Sequence, residues 1–425
     1  MKAIPMSSLK KIQLLTTLFT LTLLVRPLWA DLEPKSLENF DRESTAFIGL
    51  SQNENVEVDN INTFSSLEKR PNIDFHDVFI EEKVNKPGVK EEEGLKKSAY
   101  FADGHFIVES GVETTYDSNV FYYSRDEVDA FDAGANTNDR FTNIKSVDDI
   151  IFSPYLDLAY KNLWFGHTFK TGVIFVPHCY TYNKVKDYED YEFYAKQYLN
   201  KDEFVEFNYG KTPDYMEGNF YDRDFARYKE ANYAEDRFAL GYNKPITQTM
   251  SAMAQYFYLI NNYNENFNEY DMQGNAVRLS LRNAFTSKFT TRLYGEYARE
   301  DAKGNLNETA RVESDSSRQI WKTNLRGTYA FTSKFQMYVQ YGIWFIDYTT
   351  GHALADDPYH ANRDDILQTL GCHLGYDLIK NLQIFLSYQY TMKDADPATD
   401  DRSILDAAIL GYERHQVSTG VKFLF

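Results

Sequence analysis

Beyond its first 30 positions the 425-residue chain has no run of 18 apolar residues, so no membrane-spanning helix is available there. Cysteine is scarce. Cys179 and Cys372 lie far apart without metal-ligand spacing, and we expect no disulfide between them. Basic charge is in deficit, with 45 Lys and Arg against 63 Asp and Glu, which argues against nucleic acid as a partner. Catalytic motifs are missing too: there is no His-Glu-x-x-His, Gly-x-Ser-x-Gly or Gly-rich phosphate loop. His167, His178, His373 and His415 fall on separate segments with no Ser or Asp motif beside them. We therefore expect no enzyme, no catalytic residues, no metal and no cofactor, although a site assembled from separate strands would escape this reading.

Aromatic residues are abundant. The chain holds 33 Tyr and 31 Phe, 16% aromatic with Trp, yet 25% of residues are charged and mean hydropathy is -0.53. That combination suits strands with one apolar and one polar face.

Residues 1–30 read as a signal peptide: Lys2, Lys10 and Lys11 precede "IQLLTTLFTLTLLV", and "PLWA" ends on Ala30, with Leu28 larger than usual three positions before the cut. Its removal leaves 41 basic against 63 acidic residues, a net charge of -22. Residues 31–100 are polar, charge-rich and weakly periodic, and we expect a flexible periplasmic extension, with a plug or a docking segment for a periplasmic partner as the sharper alternatives.

From His105 onward the period is two, and the barrel is placed over 101–425. "LDLAY" (156–160), "VRLSL" (277–281), "MYVQYGIWF" (337–345) and "LQIFLSYQY" (382–390) all alternate. Short turns such as "NKPITQTM" (243–250), "NAFTSKF" (283–289) and "YAFTSKF" (329–335) alternate with long segments at 117–148, 212–235, 300–317, 346–365 and 392–412. A propeller could also repeat at such a length, but the Trp-Asp dipeptide is absent and the loop asymmetry would go unexplained. The pattern predicts an all-β, up-and-down antiparallel transmembrane barrel of about 14 strands, with short periplasmic turns and long extracellular loops. The outer membrane is then its location, with lipid and lipopolysaccharide around it.

Parity sorts the faces. Leu156, Leu158 and Tyr160 share one side with the apolar sets of the other strands, and Trp164, Phe204, Phe289, Phe335, Tyr116, Phe175, Tyr297 and Tyr390 are placed in two interfacial girdles. The opposite parity gives a basic lumen wall of Arg278, Arg282, Arg292, Lys322 and Arg326, and an acidic wall of Glu109, Glu113, Asp157, Glu192 and Glu206, with Lys170 and Lys196 mixed in. Such a lining suits passive diffusion of small hydrophilic, anionic solutes; alternatively the charges pair with each other in a closed lumen. The long loops are acidic, seven acids against three bases over 117–148, and are expected to be solvated.

"VETTYDSNVFYYS" (112–124) followed by "SVDDIIFSPYLDLAY" (146–160) resembles the first two strands of the second β-barrel porin family of the outer membrane, at Tyr116, Asp117, Asn119, Val120, Asp149, Ser153 and Pro154. The resemblance implies a porin over roughly 101–425, some relatives being associated with exopolysaccharide production, and it carries no catalytic residues. It adds a second function, a component of exopolysaccharide assembly or export, in which Tyr194, Tyr198, Tyr294, Tyr338 and Phe385 stack on sugars.

The segment "HQVSTGVKFLF" (415–425) alternates to its end, with Phe425, Phe423 and Val421 on the lipid side and Lys422 inward. A terminal aromatic of this kind resembles the signal read by the barrel-assembly machinery. Deleting Phe425 is expected to impair membrane assembly and leave secretion intact; cell fractionation that finds the truncated protein inserted normally would reduce the residue to a girdle aromatic.

Overall fold

A computed structural model describes residues 105–135, 139–222, 227–303, 315–354, 357, 360–379, 381–396 and 411–424. The signal peptide, the extension over 31–100 and Phe425 lie outside the described residues. The strands are β1 (His105–Asp117), β2 (Asp149–Trp164), β3 (His167–Tyr180), β4 (Tyr188–Tyr198), β5 (Phe204–Asp222), β6 (Arg227–Pro245) and β7 (Met250–Tyr263). They continue as β8 (Met272–Ala284), β9 (Phe289–Ala302), β10 (Arg318–Ala330), β11 (Phe335–Tyr348), β12 (Asp364–Ile379), β13 (Leu382–Asp396) and β14 (Tyr412–Leu424). Each pairs antiparallel with its sequence neighbours, and β14 closes on β1 from Glu109↔Leu424 to Asp117↔Gln416. The result is a closed barrel of 14 strands, as the loop asymmetry predicts.

Alternation produces two faces of opposite character. On β8, Leu279 is 64% exposed while its neighbours Arg278 and Ser280 are 3% and 7% exposed. Leu158, Val339, Leu370 and Leu386 are likewise exposed large hydrophobics, so the apolar residues point away from the barrel interior. Only hydrocarbon accepts such a belt without a hydrophobic cost, and only a closed sheet satisfies its backbone groups there. Cys179 and Cys372 are free thiols.

Three local departures from the sequence reading have physical causes. Phe204 does not join a girdle: it faces inward, 2% exposed, with the Lys196 ammonium 3.6 Å from its ring centroid. Proximity to a short turn did not decide its side; the parity it shares with Glu206 did, and it pairs there with Tyr198. The segment 212–235 is not a loop over most of its length, because β5 and β6 are 19-residue strands with register shifts near Thr212 and Met216. That exceeds the roughly 9–11 residues a tilted strand needs to span. Third, the β2–β3 ladder is interrupted between Phe152↔Cys179 and Leu156↔Phe175. Pro154 and Pro177 fall opposite one another in that gap, and neither has an N–H to donate.

The lipid face is open to a direct test. Leu279→Arg is expected to lower barrel stability by about 2–4 kcal/mol, the cost of a guanidinium near the bilayer midplane. Urea unfolding in lipid vesicles measures it, and an unchanged midpoint would contradict the outward placement of this parity.

Candidate functional site

In the first long connection, the described residues of 118–148 turn an apolar side onto the barrel wall while others, such as Arg125, Asp129 and Asn143, stay exposed. Val120, Phe121, Tyr123, Phe141, Ile144 and Val147 pack against Ile151, Tyr180, Tyr188, Tyr215, Met216 and Tyr233 on β2 to β6. The acidic composition of the segment concealed these apolar positions. Within it α1 (Arg125–Asp132) is started by Ser124, whose side chain and that of Glu127 form a reciprocal capping box. Glu127 also pairs with Arg140; burial raises its carboxyl pKa above the ordinary value, and Arg140 partly offsets this.

The residues of the family-like motif hold this loop in place. Asp117 accepts from the Arg414 guanidinium (Nε to Oδ1 2.9 Å), from Gln416 (3.2 Å) and from the Asn119 amide (3.0 Å). Arg414 also donates to the Tyr122 hydroxyl at 3.1 Å and lies 4.7 Å from the centre of its ring. Asn119 accepts from the Tyr123 amide and donates to the carbonyls of Tyr123 and Glu413. Asp149 accepts from the amides of Thr181, Tyr182 and Asn183, at 2.9, 3.0 and 2.8 Å, and so fixes the β3–β4 connection against the loop.

Tyr122 belongs to a second apolar cluster with Phe257, Ile320, Trp344, Ile346, Leu367 and Tyr412. By register, Ala239, Phe257, Ala276, Ala298, Ile320 and Ile346 form one unbroken row across β6 to β11 on the inward face. These six residues make a partial apolar collar, along six of the 14 strands.

Below the collar lie the charges. Arg278 and Lys322 both bind Glu296, at 3.1 and 3.2 Å, so an acid sits inside the basic sector. Arg326 donates to Gln340 at 3.0 Å and covers Tyr338, its guanidinium 4.5 Å from the ring centre. Arg282, Arg292 and Arg326 are direct cross-strand neighbours on β8, β9 and β10. In the acidic sector Glu109 accepts from Lys422 at 2.7 Å and from the Tyr155 hydroxyl at 3.1 Å. Asp157 accepts from Tyr194 at 3.1 Å, and Glu206 from Gln255 at 3.2 Å, with Lys196 3.6 Å away. Glu113 accepts from Thr115, which also meets Ser418. Glu192 is half-buried on β4. The electrostatics of these residues are organised by neighbouring strands. Val421 and Phe423 lie on the opposite parity, with Phe423 exposed.

One constellation was invisible in sequence. Ser153 on β2 meets His178 Nδ1 at 3.0 Å, and His178 Nε2 lies 3.4 Å from Asp190 on β4. The order of ring nitrogens is the reverse of an acyl-transfer triad, and Pro154 after the serine has no N–H to offer an oxyanion. Asp190 also accepts from Thr212 and lies 3.8 Å from Arg237, so the group works as a cross-strand relay beside the proline gap.

No family model and no curated protein matches the chain. Among solved structures, the outer membrane channel DcaP of Acinetobacter baumannii shares 11% identity, with 78% of this chain and 100% of that chain covered and a TM-score of 0.40. OmpT of Vibrio cholerae, in-vitro folded, shares 10% over 79% and 100% with a TM-score of 0.39. The anion-selective porin from Comamonas acidovorans shares 9% over 76% and 99% with a TM-score of 0.35. Likenesses this distant add nothing to the architecture read from register.

Breaking the Asp117–Arg414 contact should release the inserted loop. Arg414→Gln removes one member of a buried ion pair, a loss of about 3–5 kcal/mol, and tryptic cleavage after Arg125 is expected to accelerate in the intact barrel, as in Asp117→Asn. Cleavage at the unmodified rate in both variants would mean that the loop is held by its apolar contacts alone. With its closed strand order, apolar outer belt and charged interior, the chain is a 14-strand transmembrane β-barrel of the outer-membrane architecture.

Proposed function

We propose that this barrel is a channel for passive diffusion of small hydrophilic solutes with a preference for anions, its outer mouth closed by the inserted loop. The observation that carries the reading is the inward-facing basic sector of β8 to β10, where Arg278, Arg282, Arg292, Arg318, Lys322 and Arg326 outnumber Glu296 and Glu300. In the strand order this sector lies half a turn from β1 to β3, which contribute Glu109, Glu113 and Asp157. A field between such walls favours one sign of solute on one side of the lumen. The reading is of a channel and not of an enzyme.

The alternative, a part of an exopolysaccharide assembly or export machine with a partner at residues 31–100, draws on the lumen aromatics. Their faces are already occupied. Tyr338 stacks on His373 at 4.9 Å with Arg326 over it, His373 lies 5.6 Å from Phe385, Lys170 covers Tyr194 and Arg278 covers Tyr294. Rings stacked from strand to strand favour packing over a sugar platform.

Planar-bilayer recording of the purified, refolded chain tests the channel. Small conductance is expected from the full chain, rising in Arg414→Gln as the loop is released. Neutralising Arg278, Arg282 and Arg326 to Gln should move the reversal potential in a salt gradient toward cations. No conductance from either the full chain or the loop-released variant would sink the proposal, and an unshifted reversal potential would remove the anion preference.

A further inference from the structure

We infer that the lipid face of β2 to β5 holds a binding groove for one acyl chain of an outer-leaflet lipid; the inference is independent of the channel reading. The groove has a volume of about 250 Å³ and is lined by two rows of cross-strand neighbours. Leu156, Phe175 and Tyr191 form the upper row, which continues into Lys211, while Leu158, Val173, Phe193 and Tyr209 form the lower row. Between the rows runs the pair Ile174↔Glu192, on the parity opposite to theirs, so the backbone makes the floor.

The aromatic walls are pinned. The Tyr191 hydroxyl donates to Glu189, and the Tyr209 hydroxyl donates to Asp236 at 2.5 Å. The rings of Phe175 and Tyr191 lie 5.1 Å apart, and those of Tyr209 and Phe238 lie 5.0 Å apart. Tyrosine rings tied at the hydroxyl and against a neighbouring ring resist swinging in to close the crevice, so little side-chain ordering is left for a guest to impose.

Depth and charge identify the guest. Leu156, Leu158, Val173, Phe175, Tyr191 and Phe193 are all exposed, continuous with the belt that faces hydrocarbon. Lys211 stands in the upper row, 3.6 Å from Asp236, and Glu189 lies two residues beyond Tyr191 on the same outward face. Charge on a lipid-facing position is tolerated near the interface and costly at the midplane. The groove therefore lies just inside the outer edge of the hydrocarbon, on the side of the long connections. At that depth the surrounding medium is acyl chain. Glu189 and Asp236 outnumber Lys211, so the polar rim offers no net attraction to an anionic headgroup, and recognition is of the chain. In hydrocarbon the gain comes from close packing against fixed rings and not from leaving water.

The test is native mass spectrometry of the full chain, refolded without lipid, held in a mild detergent and supplied with phosphatidylethanolamine or phosphatidylglycerol of the same acyl chains. One lipid is expected to remain after the detergent is stripped, with either headgroup. Val173→Trp and Leu158→Trp each fill the groove with a ring and should retain one lipid fewer. Val339→Trp, exposed on the same belt at β11, should retain as many as the unmodified chain. Heat-dependent migration on gels establishes that each variant is folded, and two filling positions keep the test decisive where one of them misfolds. Equal retention in the filled variants and the unmodified chain, equal loss in Val339→Trp, or retention that follows the headgroup would overturn the groove whatever the bilayer recordings show. A dimer of the chain that Val173→Trp dissociates, in place of a lost lipid, would overturn it as well.

Discussion

Everything in this molecule depends on the pairing of β14 with β1. In hydrocarbon an open sheet edge leaves a row of N–H and C=O groups without partners, each costing several kcal/mol. The nine cross-strand pairs from Glu109↔Leu424 to Asp117↔Gln416 remove that edge. Once the sheet is closed, alternation ceases to be a local preference and becomes an assignment of every side chain to lipid or lumen. The same seam seats the loop. Ser118 donates its amide to the His415 carbonyl at 3.0 Å, Asn119 reaches the Glu413 carbonyl at 3.2 Å, and Arg414 grips Asp117. Barrel closure and insertion of the loop therefore share residues, and neither arrangement is complete without the other.

Closure also explains the pairing of the lumen charges. A charge taken out of bulk water is costly unless matched, and the cheapest partner is the one that register places next door. Lys422 with Glu109, Lys196 with Glu206, and Glu296 with both Arg278 and Lys322 all join adjacent strands. Acids of β1 to β5 and bases of β8 to β10 therefore meet counterions on the strands beside them. Arg278 and Lys322 thus share one carboxylate, Glu296, on the strand between them.

Much of the barrel was legible because a period of two is a strong signal when both faces are chemically extreme. Leu279 against Arg278 is decided by sequence alone, and strand number followed from the alternation of short and long connections. The failures share a cause: they concern tertiary contacts that period cannot encode. Phe204 is the exception: it sits beside a short turn like the girdle aromatics, but it shares the parity of Glu206, so the period itself turns it inward, where it meets Lys196. The segment 117–148 is acidic on average, yet Val120, Phe121, Tyr122 and Tyr123 form an apolar run inside it, directly after the Asp and Asn that anchor it. That run was the available signal, hidden by averaging charge over the whole loop. Ser153, His178 and Asp190 are 25 and 12 residues apart in sequence and meet only because β2, β3 and β4 are adjacent.

The loop and the arginines stand on different sides of the wall. The latch is on the β1–β14 side of the wall, whereas the basic sector is on β8 to β10, half a turn away. Between them stands the apolar collar, where Lys322 lies 4.4 Å from the Trp344 ring and Arg278 5.1 Å from Phe257. Tyr122 bridges the two sides, held by Arg414 at the seam and packed into the collar's cluster. Tyr122 thus ties the β1–β14 seam to the apolar row of β6 to β11, and loss of its ring would remove a contact from each.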